Sequence, residues 1–320
     1  MDSITWCNDF IEILYKKFPK KKQLTTALVE LLELEREAVY RRLRNDVFFS
    51  AHEIVKIAST WGISLDEITH INSEQFSFQM RPINYLDPSA DEIIFLKSVI
   101  KSINALKNFP TTEFMDICNK LPRQLAAGYP YINKFLLFKW MYQYGSEIET
   151  IPFSKIQISE EKLKLTEEYN KAIKNVPNNN FILDNRIFEF FANDIRYFSS
   201  IYLITNKEKE LIKKDLIALL AYMQEIANKG HYPETNCKVN LFISQLNVDT
   251  NYSYTLSHEA NICFVHVFEK LEIYTFDSEM ITNFINWMQM KKRTSIQISE
   301  VDERSRVEFF SKQRALIEKL

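Results

Sequence analysis

Glycine is nearly missing from this chain. Four glycines occur in 320 residues, where average usage is about 7%. So few glycines predict few turns with positive φ and few close backbone approaches to a phosphate. That argues against a dinucleotide-binding Rossmann domain or a P-loop, both built on glycine clusters. It favours helices joined by short polar turns. Paired cysteines are also missing: Cys7, Cys118, Cys237 and Cys263 stand far apart with no CxxC motif, the pattern of free thiols in a reducing compartment. No run of apolar residues approaches the ~18 needed to span a bilayer, and the first ten residues, MDSITWCNDF, lack the basic and apolar run of a signal peptide. A cytoplasmic location and no membrane partner are therefore expected. Charge of one sign is lacking too. The formal net charge is −2, so any contact with a polyanion has to come from a local patch. No nucleophile elbow, HExxH or kinase motif set is found, so no enzyme activity and no cofactor are expected.

What is present is an ordinary folded-protein balance, 46% hydrophobic and 26% charged, with an unusual 24 phenylalanines. The length suits two or three domains. The fold class expected is mainly α. It comprises an N-terminal helix-turn-helix bundle over 1–75, a linker over 76–88, a helical dimerisation or sensor region over 89–233, and a small C-terminal α+β domain with an antiparallel sheet over 234–320.

The periodicities behind that division are these. Ile4, Cys7, Ile11, Leu14, Tyr15 and Phe18 recur at helical spacing until Pro19. Periodicity fades over 72–87, with a short strand at 76–80. Asp87 and Pro88 read as N-cap and first residue of a helix reaching about residue 108. Helices are then expected at 111–119, 131–144, 159–174, 184–204 and 206–230, with VPNNN at 176–180 as a break. Phe188, Phe191, Ile195, Phe198 and Tyr202 form an aromatic stripe suited to a core or a dimer face, or to the wall of an apolar effector pocket. Tyr129, Tyr131, Trp140, Tyr142 and Tyr144 are open to the same readings. After Pro233 the pattern turns to strands at 238–246, 253–256, 262–268 and 271–276. A helix capped by Asp277, a short strand at 295–298 and a final helix capped by Ser299 complete the chain.

The stretch that speaks to function is 24–68. Leu24, Ala27, Leu28 and Leu31 define one helix, Glu33-Leu34-Glu35 a turn, and 36–44 an arginine-bearing helix that Asn45 can end, since asparagine tolerates the left-handed region. Ser50 with Glu53 three residues on forms a capping box for 51–61, Gly62 closes that helix, and Ser64 caps a last turn. At 100° per residue, Val39 and Leu43 face inward and Glu37, Arg41 and Arg44 point outward. Arg42 leans back, where its head can reach a phosphate or a carboxylate. Residues 1–70 hold ten Lys+Arg and eleven Asp+Glu, yet 36–45 hold four arginines and one glutamate. Arginine suits base reading because its fork grips guanine O6 and N7 together. Lys21 and Lys22 belong to a lysine cluster at 16–22, where a phosphate backbone would pass. The candidate DNA-binding residues are therefore Arg36, Glu37, Tyr40, Arg41, Arg42, Arg44, Lys21 and Lys22.

About 45 residues also resemble a family. The segments Ala38-Val39-Tyr40-Arg41-Arg42-Leu43-Arg44-Asn45, Phe49-Ser50, Glu53-Ile54 and Gly62-Ile63-Ser64-Leu65-Asp66 match, in order, the lambda-repressor-like (XRE) helix-turn-helix of the BetR-like type. The resemblance implies a bacterial-type DNA-binding transcriptional regulator. Two positions depart from the pattern: Glu33 and Asn45 stand where glycine is usual. The partners expected are double-stranded DNA, a second copy in a homodimer, and an unidentified small-molecule effector. The alternative is an interaction scaffold that binds protein and not DNA. Elsewhere, His258, Cys263 and His266 invite a metal reading, but on one strand Cys263 and His266 face opposite sides. His231 and the carboxylate pairs Glu160-Glu161 and Glu167-Glu168 read as solvated helix-end and helix-face groups.

Overall fold

The computed structural model describes residues 3–18, 20–63, 78–80, 88–106, 108–144, 151–258, 261–267, 271–275 and 277–320. The chain divides into two compact units, Met1–Ser77 and Phe78–Leu320. Among the described residues the fold is mainly helical, with one mixed sheet of eight strands.

The first unit contains α1 (Ser3–Lys17), α2 (Lys21–Leu32), α3 (Arg36–Leu43) and α4 (Ala51–Trp61). Each buries the apolar side its spacing defines. Phe10, Ile11 and Leu14 of α1 meet Leu24 and Leu28 of α2, Val39 of α3, and Ile54, Ile57 and Ala58 of α4. Phe49 closes this core with its ring edge against Phe10, the ring centroids 5.6 Å apart. The turn expected at Ser64 to Ile68 lies outside the described residues.

The second unit is organised differently from the expected helical region followed by an α+β domain. Its elements are β1 (Gln79–Met80), α5 (Pro88–Leu106), β2 (Glu113–Cys118), α6 (Arg123–Ala126), α7 (Pro130–Tyr144), α8 (Glu160–Ile173), β3 (Asn178–Asp184), α9 (Ile187–Ser200), α10 (Asn206–Lys229), β4 (Lys238–Ser244), β5 (Tyr252–Leu256), β6 (Asn261–Val267), β7 (Leu271–Thr275), α11 (Ser278–Lys292), β8 (Ser295–Gln297) and α12 (Glu303–Glu318). The strand order is β1-β7-β6-β5-β2-β3-β4-β8. Strands β2, β3 and β4 are parallel neighbours, and the remaining pairings are antiparallel.

Four expectations are corrected here. Residues 111–119 are not a helix, since Glu113–Cys118 is a central strand; the break at 176–180 runs into a second strand, Asn178–Asp184. The sheet is mixed, not antiparallel. No boundary falls at 233, because β3 from the helical region pairs with β4 from the α+β region along seven residues, Asn178 to Asp184 against Lys238 to Ser244. The physical reason is two-sided burial. A parallel strand covered on both faces shows a short continuous apolar run with no alternation, as in Phe181-Ile182-Leu183, which periodicity cannot tell from buried helix.

Helices α5 to α10 and α12 cover one face. They pack Phe135, Phe138, Phe188, Phe191, Leu216, Leu220 and Phe310 onto Phe114, Phe181, Leu183, Leu241 and Ile243 of β2 to β4. Helix α11 covers the other with Ile281, Phe284 and Met288 against Met115, Ile117, Ile182 and Phe242. The aromatic stripe is core: Phe191 lies 4.9 Å from Phe135 and Phe198 lies 4.7 Å from Phe138, centroid to centroid. Tyr202 leaves it, because α9 ends at Ser200 and Tyr202 stands exposed with φ 62°. Thr205 forms the capping box of α10 with Glu208. One expected cap moves. Asp302, not Ser299, caps α12, while the Ser299 hydroxyl accepts from the Leu241 amide at 2.7 Å.

Helices α5 and α8 are joined by an ion pair in which Lys162 Nζ, only 3% exposed, lies 2.6 Å from Glu92 Oε2. Removing one partner of such a pair leaves an uncompensated charge, whereas replacing both partners by apolar residues is often nearly neutral. Glu92→Gln is expected to lose roughly 3 kcal/mol in urea unfolding, and the double variant Glu92→Leu with Lys162→Met much less. A double variant no more stable than Glu92→Gln would show that the pair does not dominate that contact.

Candidate nucleic-acid interface

Helix α2 ends where Glu33 enters the left-handed region, φ 56° and ψ 37°. Leu34 and extended Glu35 then lead directly into α3. Glutamate takes the conformation that glycine adopts at no steric cost, a strain of about 1–2 kcal/mol. Its carboxylate lies 3.8 Å from Lys56 Nζ, an exposed contact too weak to offset that strain.

Helix α3 is short because a Schellman motif ends it. Asn45 has φ 61°, its N–H donates to Arg42 O at 3.0 Å, and Asp46 N–H donates to Arg41 O at 2.9 Å. These are the 5→2 and 6→1 bonds of that motif. Ser50 and Glu53 form the capping box of α4, and Gly62 closes α4 with φ 62°.

Of the candidate residues, Arg42 has another job. Its Nη2 and Nε donate to Glu53 Oε1 and Oε2 at 2.8 and 3.1 Å, and Nη1 donates to Ala38 O at 3.1 Å. The two side chains are 16% and 13% exposed. Glu53 Oε2 also accepts from Ser50 N–H at 2.7 Å. Burial acts to raise the Glu53 carboxyl, but the Arg42 guanidinium and the Ser50 amide outweigh it and hold it below the usual carboxylate range. Of the two partners open to Arg42, a phosphate or a carboxylate, the chain supplies the carboxylate, and Arg42 clamps α3 to α4. The sequence marked Glu53 only as a cap; nothing in an eleven-residue separation signalled which carboxylate it would be.

The other candidates lie on the surface. Arg36, Glu37, Tyr40, Arg41 and Arg44 are exposed on α3, with Val39 fully buried behind them. Glu37, Tyr40, Arg41 and Arg44 follow i, i+3, i+4, i+7 spacing and form one stripe. Arg44 bridges two acids: Nη2 lies 3.2 Å from Glu37 Oε1 and Nε lies 3.0 Å from Asp46 Oδ2. Lys21 and Lys22 are exposed in the first turn of α2, and Lys21 Nζ sits 5.6 Å from the centre of the Tyr15 ring. The stripe can therefore present guanidinium donors, a carboxylate acceptor and a phenol together, on a helix locked from behind.

Arg42→Ala is expected to cost roughly 2–3 kcal/mol, below the fully buried value because both partners keep some water contact. The Glu53 carboxyl is depressed, so the stability this pair adds is present above the ordinary carboxylate range and fades as pH falls through the folded value. Glu33→Gly is expected to raise stability by roughly 1 kcal/mol. Chemical unfolding of the variants at pH 7 and pH 4 checks all three; an unchanged midpoint for Arg42→Ala would remove the clamp.

Comparison with protein families, with characterised proteins and with solved structures finds no match to the chain.

Proposed function

We propose that the first unit is a helix-turn-helix that reads double-stranded DNA, with α3 in the major groove, and that the protein regulates transcription as a homodimer. The observation that carries this reading is the outward stripe of Glu37, Tyr40, Arg41 and Arg44 on an eight-residue helix whose back is fixed by Val39 and by Arg42–Glu53. A groove reader needs such a short rigid helix with a few polar ends at its surface. Arg41 offers the bidentate fork for guanine, and Glu37 an acceptor for cytosine N4. Lys21, Lys22 and Arg36 supply sequence-independent phosphate contacts. Near-neutral charge over the unit means that specificity rests on few contacts and that non-specific binding is modest. Two copies related by a two-fold would meet half-sites about 34–36 Å apart. The second unit supplies dimerisation and effector response in this reading.

Enrichment of bound duplexes from random DNA is expected to return a palindromic site. Arg41→Ala should relax the preference at one base position per half-site and cost about 1–3 kcal/mol there. Lys21→Ala should weaken binding to all sequences alike and reduce the salt slope by about one. Absence of any enriched sequence, or identical preferences after Arg41→Ala and Arg44→Ala, would sink the reading.

A further inference from the structure

The second unit carries a constellation that no function above uses. Strands β2, β5, β6 and β7 place Asp116, Ser253, His266 and Glu272 on one face, since Asp116 pairs with Ser253, Ser253 with Phe264, and His266 with Glu272, and alternate residues share a face. The Ser253 hydroxyl lies 3.4 Å from His266 Nε2, and His266 Nδ1 lies 3.3 Å from Glu272 Oε1. With the proton on Nδ1, Nε2 is left to accept from the serine, and the Glu272 carboxylate acts on the imidazole through its charge. A hydroxyl within reach of a base whose protonated form a third group favours is the arrangement of an activated nucleophile. Cys263 is not part of it; it faces the opposite side, buried beneath α11.

The surroundings suit that chemistry. Strand β6 runs in the same direction as β2, so His266 stands at the carboxyl edge of the parallel strands, where open α/β sheets bind ligands. The loop after β2 is pinned there. Asn119 N–H donates to Asn251 Oδ1 at 2.8 Å, Asn119 Nδ2 donates to Asp249 O at 3.0 Å, and Thr250 Oγ1 donates to His266 O at 2.7 Å. That loop carries Lys120 and leads to Arg123, both of which act on the imidazole. Burial holds His266 below its ordinary 6.5; Glu272 opposes that shift, while Arg123 and Lys120 reinforce it. The base is therefore neutral at pH 7. Asp116 is 4% exposed, and its Oδ1 has no hydrogen-bond partner among the described residues. Burial and the nearby Glu272 charge push its carboxyl up to about 7, against a hydrogen bond with Cys118 that acts to lower it. Tyr169 faces the same cluster.

We propose that Ser253, His266 and Glu272 form a hydrolytic site for small carboxylic esters that carry an anionic group. Ser253 Oγ attacks the ester carbonyl carbon as its proton passes to His266 Nε2. His266 returns that proton to the departing alkoxide, leaving acyl-Ser253. Water then attacks the acyl carbon, giving its proton to His266, and the acid leaves as the proton returns to Ser253. Glu272 is a positioning residue whose charge stabilises the imidazolium as it forms, and Lys120 and Arg123 attract the substrate's anionic group. The activity belongs to Phe78–Leu320 and stands apart from DNA reading.

The full-length protein is treated with a biotinylated fluorophosphonate, and the labelled peptide is located by mass spectrometry. Labelling of wild type at Ser253 is expected, with a rate that rises with pH around a midpoint below 6.5. Ser253→Ala should abolish it, and His266→Ala should slow it by about 100- to 10,000-fold. Glu272→Gln removes the charge that raises the imidazole and should move the pH midpoint further down, a shift that a purely structural glutamate would not cause. Mono-4-nitrophenyl succinate should be hydrolysed with a higher kcat/KM than 4-nitrophenyl acetate. An unlabelled wild-type protein, or label on any residue other than Ser253, would overturn the site and leave the three as a structural hydrogen-bond chain.

Discussion

The second unit depends on burial of three parallel strands on both faces. Phe181 and Leu183 point to one side of β3 and Ile182 to the other, all three with no exposure. A strand in that position cannot be satisfied by one layer. It requires the seven helices on one face and α11 on the opposite one, and it draws residues from both halves of the unit into a single core. Some of the polar groups admitted into this core are paired. Tyr254, fully buried, donates to Glu113 at 2.6 Å and accepts from Gln289 at 2.7 Å, which ties α11 to the centre of the sheet. Asn179 Oδ1, the Tyr232 hydroxyl, Gln313 Oε1 and Asp116 Oδ1 have no hydrogen-bond partner among the described residues, and Asp116 sits beside Ser253.

The first unit solves a smaller problem, presenting an eight-residue helix to solvent without letting it fray. Such a helix has too few internal hydrogen bonds to stand alone. Val39 anchors its middle, the left-handed residues Glu33 and Asn45 stop the chain at either end, and Arg42 ties it to α4. The ion pair and the capping box share Glu53, so one carboxylate sets both the start of α4 and the position of α3 against it.

Glycine scarcity has a different consequence from the one that composition suggests. Left-handed turns are not avoided; Glu33, Asn45, Tyr202, Asn236 and Glu300 adopt positive φ beside Gly62 and Gly230. Asparagine does so at little cost, but glutamate and tyrosine are strained there. The tertiary structure holds these residues in place, and Glu33 illustrates it at the turn that sets the angle of entry into α3.

Local signals were legible in the sequence by itself. Helix α2 begins at Lys21, a turn ahead of the Leu24 that spacing marks, but the lengths of α3 and α4, the Ser50–Glu53 box, the Gly62 and Asn45 stops, the inward Val39 and the outward stripe of α3 follow from spacing and side-chain chemistry within a few turns of helix. So do the four strands after Pro233, because their alternation is written residue by residue. Only the tertiary structure decided the rest, and the reason is separation along the chain. Strands β2 and β3 lack alternation because both their faces are buried, so their partners 60 or more residues away determine what they are. The Arg42 clamp arises from a helix packing angle that no spacing rule contains. Ser253, His266 and Glu272 come from three strands, and only strand register brings them into contact.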